Sequence, residues 1–358
     1  MKNIKVNADY ESVLTNPQKK LPQVNEAIEF LAFFVQTKPV MTHKKYSSEY
    51  FSYIEEMTGN LPRVVKEGEA ANWWGELQNI ELEKKLNSKV LSAELNIKYG
   101  WSKETHILRS LDKLPLLNKT YLAKNDLGMS GKGFSRVDLD KLSNLEEMLT
   151  RGPVIIEPLL KRVDDFSFYI YPNGMKVAYE NFVDERFQYR GTLFTDYTKP
   201  CVESFRFYES LSRAQWEEYK EATDTISSFY QDEGALGGFS IDSFSFEEEG
   251  KKIKFLSEVN YRKTMGAVAF ELAMKFGGLR KWGLLIMAKA SGEEFSIKRK
   301  MLESLEWKED LSSGVIILSP GDTRYDMFFL SAKDSKEGER LFLEFKKLLP
   351  NSEFAIKF

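Results

Sequence analysis

Cysteine is almost absent from this chain. Of 358 residues one is cysteine, Cys201, and two are histidine, His43 and His106. A single thiol excludes an internal disulfide framework and any cysteine-based zinc site. The two imidazoles stand far apart in sequence without helical i, i+4 partners, so zinc coordination and Ser-His-Asp catalysis both lack the groups they need. Cys201 reads as structural, and each histidine as a surface or satisfied core residue. An excess of one charge is missing too. Lys and Arg total 51 against 54 Asp and Glu, a balance that gives no reason to expect nucleic acid or an anionic membrane as partner. No apolar run approaches the ~18 residues a membrane span needs. The longest, around "WGLLIMAKA", reads as a buried element. The N-terminal stretch "MKNIKVNADYESVLTNPQKK" has no apolar core of the signal-peptide kind. A soluble, cytoplasmic protein is expected.

What is present is material for a large core. The 42% hydrophobic and 13% aromatic content suits two or three lobes. Up to Trp101, the runs "EFLAFFVQ", "KPVMTH" and "LPRVV" alternate with helical pattern such as "SSEYFSYIEEMTG", which predicts a small α/β unit. The amphipathic stretch "ELEKKLNSKVLSAELNIKYG" closes it, with Gly100 as a helix stop. From Leu114 to Glu157 the order is strand ("TYLAKND"), glycine loop, helix opened by Asp138 or Asp140 and stopped by Gly152, then strand ("PVIIEPLL"). An antiparallel region follows. It holds a hairpin turning at Pro172-Asn173-Gly174, a helix from Ser212, and two strands joined by a charged turn, "FSIDSFSFEEEGKKIKFLSEVNYR". After Ser291 the chain again reads α/β. No repeat or low-complexity tract appears.

The loop in "YLAKNDLGMSGKGF" holds three glycines, Gly128, Gly131 and Gly133, with Ser130 and Lys132 among them and Lys124 on the strand before. The arrangement is not a Walker A loop: Gly131-Lys132 is followed by Gly133 rather than Ser or Thr, and Asp126 occupies the first glycine position. Nor is it a dinucleotide fingerprint, because the glycine order is wrong and "FSRVDL" reads as extended. Asp165-Phe166-Ser167 matches a kinase metal motif only superficially. What remains is a glycine-rich hairpin, either folding over phosphates or mobile at the surface.

Two later segments bear on that choice. In "VIIEPLL" a strand ends at Glu157 and passes to Pro158, Leu159 and Leu160. Such an end can present a carboxylate and main-chain groups to an adenine edge, or simply reach solvent. In "SIDSFSF…FLSEVNYRKTMG", Asp242 and Glu258 lie on strands joined by a turn and can face each other. Asn260, two residues after Glu258, shares its face. Hard cations such as Mg²⁺ take oxygen ligands and share them with substrate phosphates, and this set suits two such ions. Arg262, two further along, could hold a phosphate or acyl-phosphate oxygen.

In this order, "KNDLGMSGKGF", "VIIEPLL" and "DSFSFEEEGKKIKFLSEVNYRKTMG" resemble the ATP-grasp superfamily, the fold of biotin carboxylase, D-alanine–D-alanine ligase and related carboxylate–amine ligases. The likeness runs from about Leu82 to Met287. It implies an α/β protein (an α+β ATP-grasp fold) in three parts. These are a small N-terminal α/β domain over 1–102, a two-lobed ATP-grasp domain with antiparallel sheets over 103–290, and a C-terminal α/β extension over 291–358. The small lobe would span about 114–160 and the large lobe about 161–290.

Carried over, the strand lysine that meets nucleotide phosphates falls on Lys124 and the earlier nucleotide lysine on Lys89. The flap falls on Gly128, Gly131 and Gly133, the hinge near adenine on Glu157, Pro158, Leu159 and Leu160, and the ribose-binding acid on Asp165, or on Asp164. The metal ligands fall on Asp242, Glu258 and Asn260. Arg262, Lys132 and Ser130 are the candidate catalytic residues. The resemblance further implies ATP and Mg²⁺ (or Mn²⁺) as cofactors and an ADP-forming ligation of a carboxylate to an amine through an acyl phosphate. The partners expected are small-molecule or peptide carboxylate and amine substrates, with a homodimer as a possible assembly and neither nucleic acid nor membrane. A kinase acting on a hydroxyl and a non-catalytic nucleotide-binding protein are the alternatives.

Overall fold

The computed structural model describes every residue except 1, 17, 103, 115–118, 129–132, 138–142, 351 and 357, and at 143 the backbone alone. Among the described residues the strands form three sheets. In the first, β1 (Asn3–Lys5), β2 (Val40–Met41), β3 (Val64–Val65) and β4 (Ala70–Asn72) run parallel in the order β3-β2-β1-β4. Parallel neighbours need crossovers, and one contains the helix Ser48–Thr58. Ser47 Oγ accepts the Tyr50 N–H at its start, and Gly59, at φ 70°, closes it. The run "EFLAFFVQ" contributes a helix, Leu31–Val35, with Leu31 through Phe34 all buried. A short run that is apolar on every side carries no periodicity to distinguish helix from strand.

The second sheet is antiparallel and joins β5 (His106–Leu108), β6 (Tyr121–Asn125), β7 (Phe134–Val137) and β8 (Val154–Pro158) in the order β5-β8-β6-β7. Leu108, Tyr121, Ala123, Val154 and Ile156 pack there with Leu145 and Met148 of the helix Ser143–Leu149. The expected helix openers, Asp138 and Asp140, lie outside the described residues.

The third sheet has eight antiparallel strands: β9 (Lys161–Ile170), β10 (Lys176–Val183), β11 (Tyr189–Phe194), β12 (Phe239–Glu247), β13 (Lys251–Asn260), β14 (Trp282–Lys289), β15 (Ser313–Ile317) and β16 (Tyr325–Ala332). Their order is β13-β12-β9-β10-β11-β14-β16-β15, so the C-terminal strands extend this sheet beyond β14. Along β9, Phe166, Phe168 and Ile170 enter one core and Tyr169 the other, the period-2 alternation of a strand. The first core holds the helix Arg213–Asp232, started by a Ser212–Gln215 capping box. The second holds the helix Met265–Phe276 and the N-terminal aromatic residues Phe30, Phe33 and Phe34. Gly266 lets that helix close on β10, because a Cβ there would lie 2.1 Å from the Tyr179 ring.

The stretch before Gly100, one amphipathic segment in the sequence, is two helices, Ile80–Leu86 and Lys89–Lys98. Ser88 makes the break by capping the second: its Oγ accepts the Leu91 N–H at 3.2 Å. The break places Lys89 in a first helical turn. No helix among the described residues is long and apolar enough to cross a membrane.

Candidate active site

The register of β12 and β13 sets Asp242 directly opposite Glu258. Asp242 Oδ1 accepts from the hydroxyls of Ser167 (2.8 Å) and Ser240 (3.1 Å), and Oδ2 from Asn260 Nδ2 at 2.7 Å. Burial, and then the neighbouring Glu258, push the Asp242 carboxyl up to about 6. Burial acts on Glu258 in the same direction, but the charges of Lys89 and Lys124 outweigh it and hold that carboxyl below its ordinary value. Two carboxylates pressed together and one amide oxygen form a hard-oxygen set whose repulsion a divalent cation would relieve. Among the described residues no three or more His, Cys, Asp or Glu gather to hold a metal. The set therefore fits an ion that completes its shell with phosphate or water better than a cage made of protein alone. Polar contacts continue across the sheet from Asp242 through Ser167 to Asn181 (2.8 Å) and Thr192 (3.1 Å).

Two lysines, Lys89 and Lys124, act on Glu258 of this pair, and a third, Lys254, lies on the same strand as Glu258. Lys89 Nζ lies 3.1 Å from Glu258 Oε2 and donates to the Gly128 carbonyl at 3.0 Å. It thereby ties the start of the glycine loop to the carboxylate pair. Lys124, on β6, is buried and pairs with Glu157 across the sheet, while Lys254, on β13, approaches the other Glu157 oxygen at 3.4 Å. Burial works against ionisation of Glu157, yet the two lysine charges take its carboxyl down to about 2. The sequence reading missed Lys254. Parity was a partial signal: 254, 258 and 260 are all even positions of β13, but the register shifts between Lys254 and Glu258, and Leu256 enters the core on the other face.

Asp126 anchors the loop by accepting from the Ser88 hydroxyl (2.6 Å) and the Val90 N–H (3.0 Å) at the N-terminus of the Lys89 helix. Gly133, at φ 88°, returns the chain to β7, where the Asn125 N–H donates to its carbonyl at 3.1 Å. Ser130, Gly131 and Lys132 lie outside the described residues.

Of the hinge, Glu157 spends both oxygens on lysines. The Leu159 N–H donates to the Thr120 carbonyl at 3.0 Å, and the Leu160 carbonyl accepts from the Arg162 N–H at 3.0 Å. Pro158 ends β8 opposite Tyr121. Asp165 pairs with Arg162, whose guanidinium lies over Phe244 at 4.1 Å. Asp164 pairs instead with Lys251 at 2.7 Å.

Arg262 reaches across to the N-terminal part. Its guanidinium pairs with Glu11 at 2.7 Å, donates to Asn260 Oδ1 at 3.0 Å and lies 5.7 Å from the centre of the Trp74 ring. Glu11 and Trp74 carried no sequence signal, because their link to Arg262 spans most of the chain. Lys263 follows with its own pair, Glu271, over Trp73. Glu11 Oε2, Glu271 Oε2 and Trp73 Nε1 are buried without a hydrogen-bond partner among the described residues. Contacts join Arg262, Asn260 and Asp242 in one group, Glu258, Lys89 and Gly128 in a second, and Lys124 with Glu157 in a third. The register of Asp242 and Glu258 sets the first two side by side, and the Lys124 charge acts on Glu258. Asp165 is held in a separate ion pair. Surface depressions of about 240 and 460 Å³, lined around Glu337 and Arg340 and around Lys199 and Arg206, contain none of these residues.

No protein-family model matches the sequence, and no curated protein matches it. Solved structures do match in three dimensions. The N5-carboxyaminoimidazole synthetase of Staphylococcus aureus superposes with a TM-score of 0.52 at 11% identity, covering 97% of this chain and 98% of that one. The biotin carboxylase domain of the Hydrogenobacter thermophilus 2-oxoglutarate carboxylase, a domain dimer complexed with MgADP, ADP and bicarbonate, gives 0.51 at 12% identity, covering 99% and 85%. The N5-carboxyaminoimidazole synthase of Aspergillus clavatus, with ADP and 5-aminoimidazole ribonucleotide, gives 0.50 at 11%, covering 97% and 92%. At such identities the likeness is one of fold: this chain adopts the ATP-grasp fold.

Proposed function

We propose that the protein is an ATP- and magnesium-dependent ligase that activates a carboxylate as an acyl phosphate and passes it to an amine. The observation that carries this reading is the facing pair Asp242 and Glu258, ringed by Lys89, Lys124 and Arg262, in a chain with the ATP-grasp fold. Asp242, Glu258 and Asn260 would hold Mg²⁺, which when bound neutralises phosphate charge. Lys89 and Lys124 would meet the phosphates, and the glycine loop would cover them. Main chain at Pro158 to Leu160 would border the adenine, while Glu157 organises the lysines. Arg262 would orient the substrate carboxylate.

The attacking carboxylate is already ionised at pH 7 and needs no base. Its oxygen bonds to the γ-phosphorus as the bond to ADP breaks. Catalysis here is positioning and charge neutralisation. The amine then adds to the acyl carbon, phosphate leaves with the attacking oxygen, and the amine's proton passes to phosphate or solvent. Domain limits at 102 and 290 belong to the same proposal.

The test is interception. Hydroxylamine in place of the amine should give a hydroxamate with ADP and phosphate, only with the correct acid. An ¹⁸O-labelled carboxylate should pass one label into the phosphate. Turnover of a defined acid with no label in phosphate would refute the acyl-phosphate route. A kinase would instead keep the phosphate on its product.

A further inference from the structure

Lys254 is a buried ammonium that the scheme above leaves without a task. It lies on β13, on the strand face of Glu258 and Asn260, and only 5% of its surface is exposed. Its contacts are the Glu157 carboxylate at 3.4 Å and the Thr105 hydroxyl at 3.5 Å. Glu157 already has a closer partner in Lys124. Lys124 and Glu157 are equally hidden, at 6% and 7% exposure. Two buried cations therefore share one buried anion. As a structural ion pair, Lys124–Glu157 is complete alone, and a second buried ammonium adds a desolvation penalty without a charge of its own to meet. Burial accordingly lowers the Lys254 ammonium's pKa, against the pull of Glu157.

The surplus has a use if Lys124 has to leave. A lysine locked onto a buried carboxylate cannot also meet a phosphate unless that carboxylate keeps a counter-ion, because an unpaired buried charge is costly. We infer that Lys254 is a positioning residue that takes over Glu157 when Lys124 turns to the phosphates of a bound nucleotide. Glu157 holds one cation more than it needs, so that it still has a partner once Lys124 is on a phosphate. The inference rests on the reading of Lys124 as a phosphate-binding lysine, and it concerns ATP binding, so neither substrate of the ligation need be known.

The test is calorimetric titration of the whole protein with Mg·AMP-PNP. Lys254→Met should raise Kd by at least about 30-fold, since Lys124 then strands Glu157 on leaving. It leaves one buried cation with one buried anion, so the free protein has no charge reason to misfold. Lys254→Gln removes the same charge and replaces it should the methionine variant not fold. Lys254→Arg should bind like the wild type. Lys254→Met combined with Glu157→Gln should recover to within about threefold, because no anion competes for Lys124. Unchanged affinity in the single variants would overturn the inference. A double variant as weak as the single would overturn it too, by showing that Lys254 touches the nucleotide itself. Failure of the wild type to bind Mg·AMP-PNP would remove the nucleotide reading and this inference with it, an outcome distinct from the other two.

Discussion

Asp242→Asn should stabilise the metal-free protein. In the native fold the Asp242 carboxyl is pushed from its ordinary 3.8 to about 6 by burial and by Glu258 opposite. A carboxyl with its folded value above its unfolded one burdens the fold once ionised. The burden is absent below pH 3.8, grows between 3.8 and about 6 and is complete above that. Its full size is about 3 kcal/mol, at 1.36 kcal/mol per unit of pKa. Asparagine removes the charge and keeps an oxygen for the hydroxyls of Ser167 and Ser240. It also turns an amide toward Asn260 Nδ2, which now donates to Asp242, at a cost of about 1 kcal/mol. The net gain at pH 8 is about 2 kcal/mol, or about 3 °C in melting temperature for a chain of this length. At pH 5 it should fall below about 1 kcal/mol, because part of the wild-type burden is gone. Thermal melts followed by circular dichroism in EDTA at both pH values measure this. Added Mg²⁺ should then raise the wild type but not the variant. A variant that melts at or below the wild type in EDTA at pH 8 would refute the idea that an ionised Asp242, buried and opposite Glu258, burdens the metal-free fold.

Lys89→Met should free the start of the glycine loop and unpair Glu258, since Lys89 holds both. Faster amide exchange around Asp126 to Gly128 and an Mg·AMP-PNP Kd raised about tenfold or more are expected, and unchanged values in both would remove Lys89 from the site. Arg262→Met should cost about 3–5 kcal/mol, because Glu11 loses its partner while buried. Urea unfolding would show the loss, and adding Glu11→Gln should recover much of it; a double variant as unstable as the single would mean that packing over Trp74, not charge, is what Arg262 supplies.

Local chemistry was legible wherever neighbours in sequence are neighbours in space. The turn at Gly174 and the shared strand parity of Glu258 and Asn260 follow from period-2 alternation and a short connection. The facing of Asp242 and Glu258 does not: the register at the turn joining their strands would set Asp242 against Leu256, and a shift between Phe244 and Asp242 brings Glu258 opposite instead. The ATP-grasp likeness was legible too, its motifs being contiguous segments in a fixed order. "EFLAFFVQ" was not, because a run buried on all sides has no period. The division of one amphipathic stretch at Ser88 escaped periodicity too, since a capping serine looks like any polar residue until its hydroxyl is seen on Leu91.

Sequence alone thus determined much of the order of the elements and the list of lysines, carboxylates, thiols and imidazoles available. Tertiary structure decided who pairs with whom. Glu157, read as a carboxylate near adenine, turns out to be clamped by Lys124 and Lys254, one from β6 and the other from β13. Arg262 meets Glu11, 251 positions earlier in the chain. Such pairings depend on how the sheets and helices assemble, which joins residues from 33 to 251 positions apart. A charge in a sequence has no partner until the backbone has brought one within a few ångströms and burial has removed the water that would otherwise screen it.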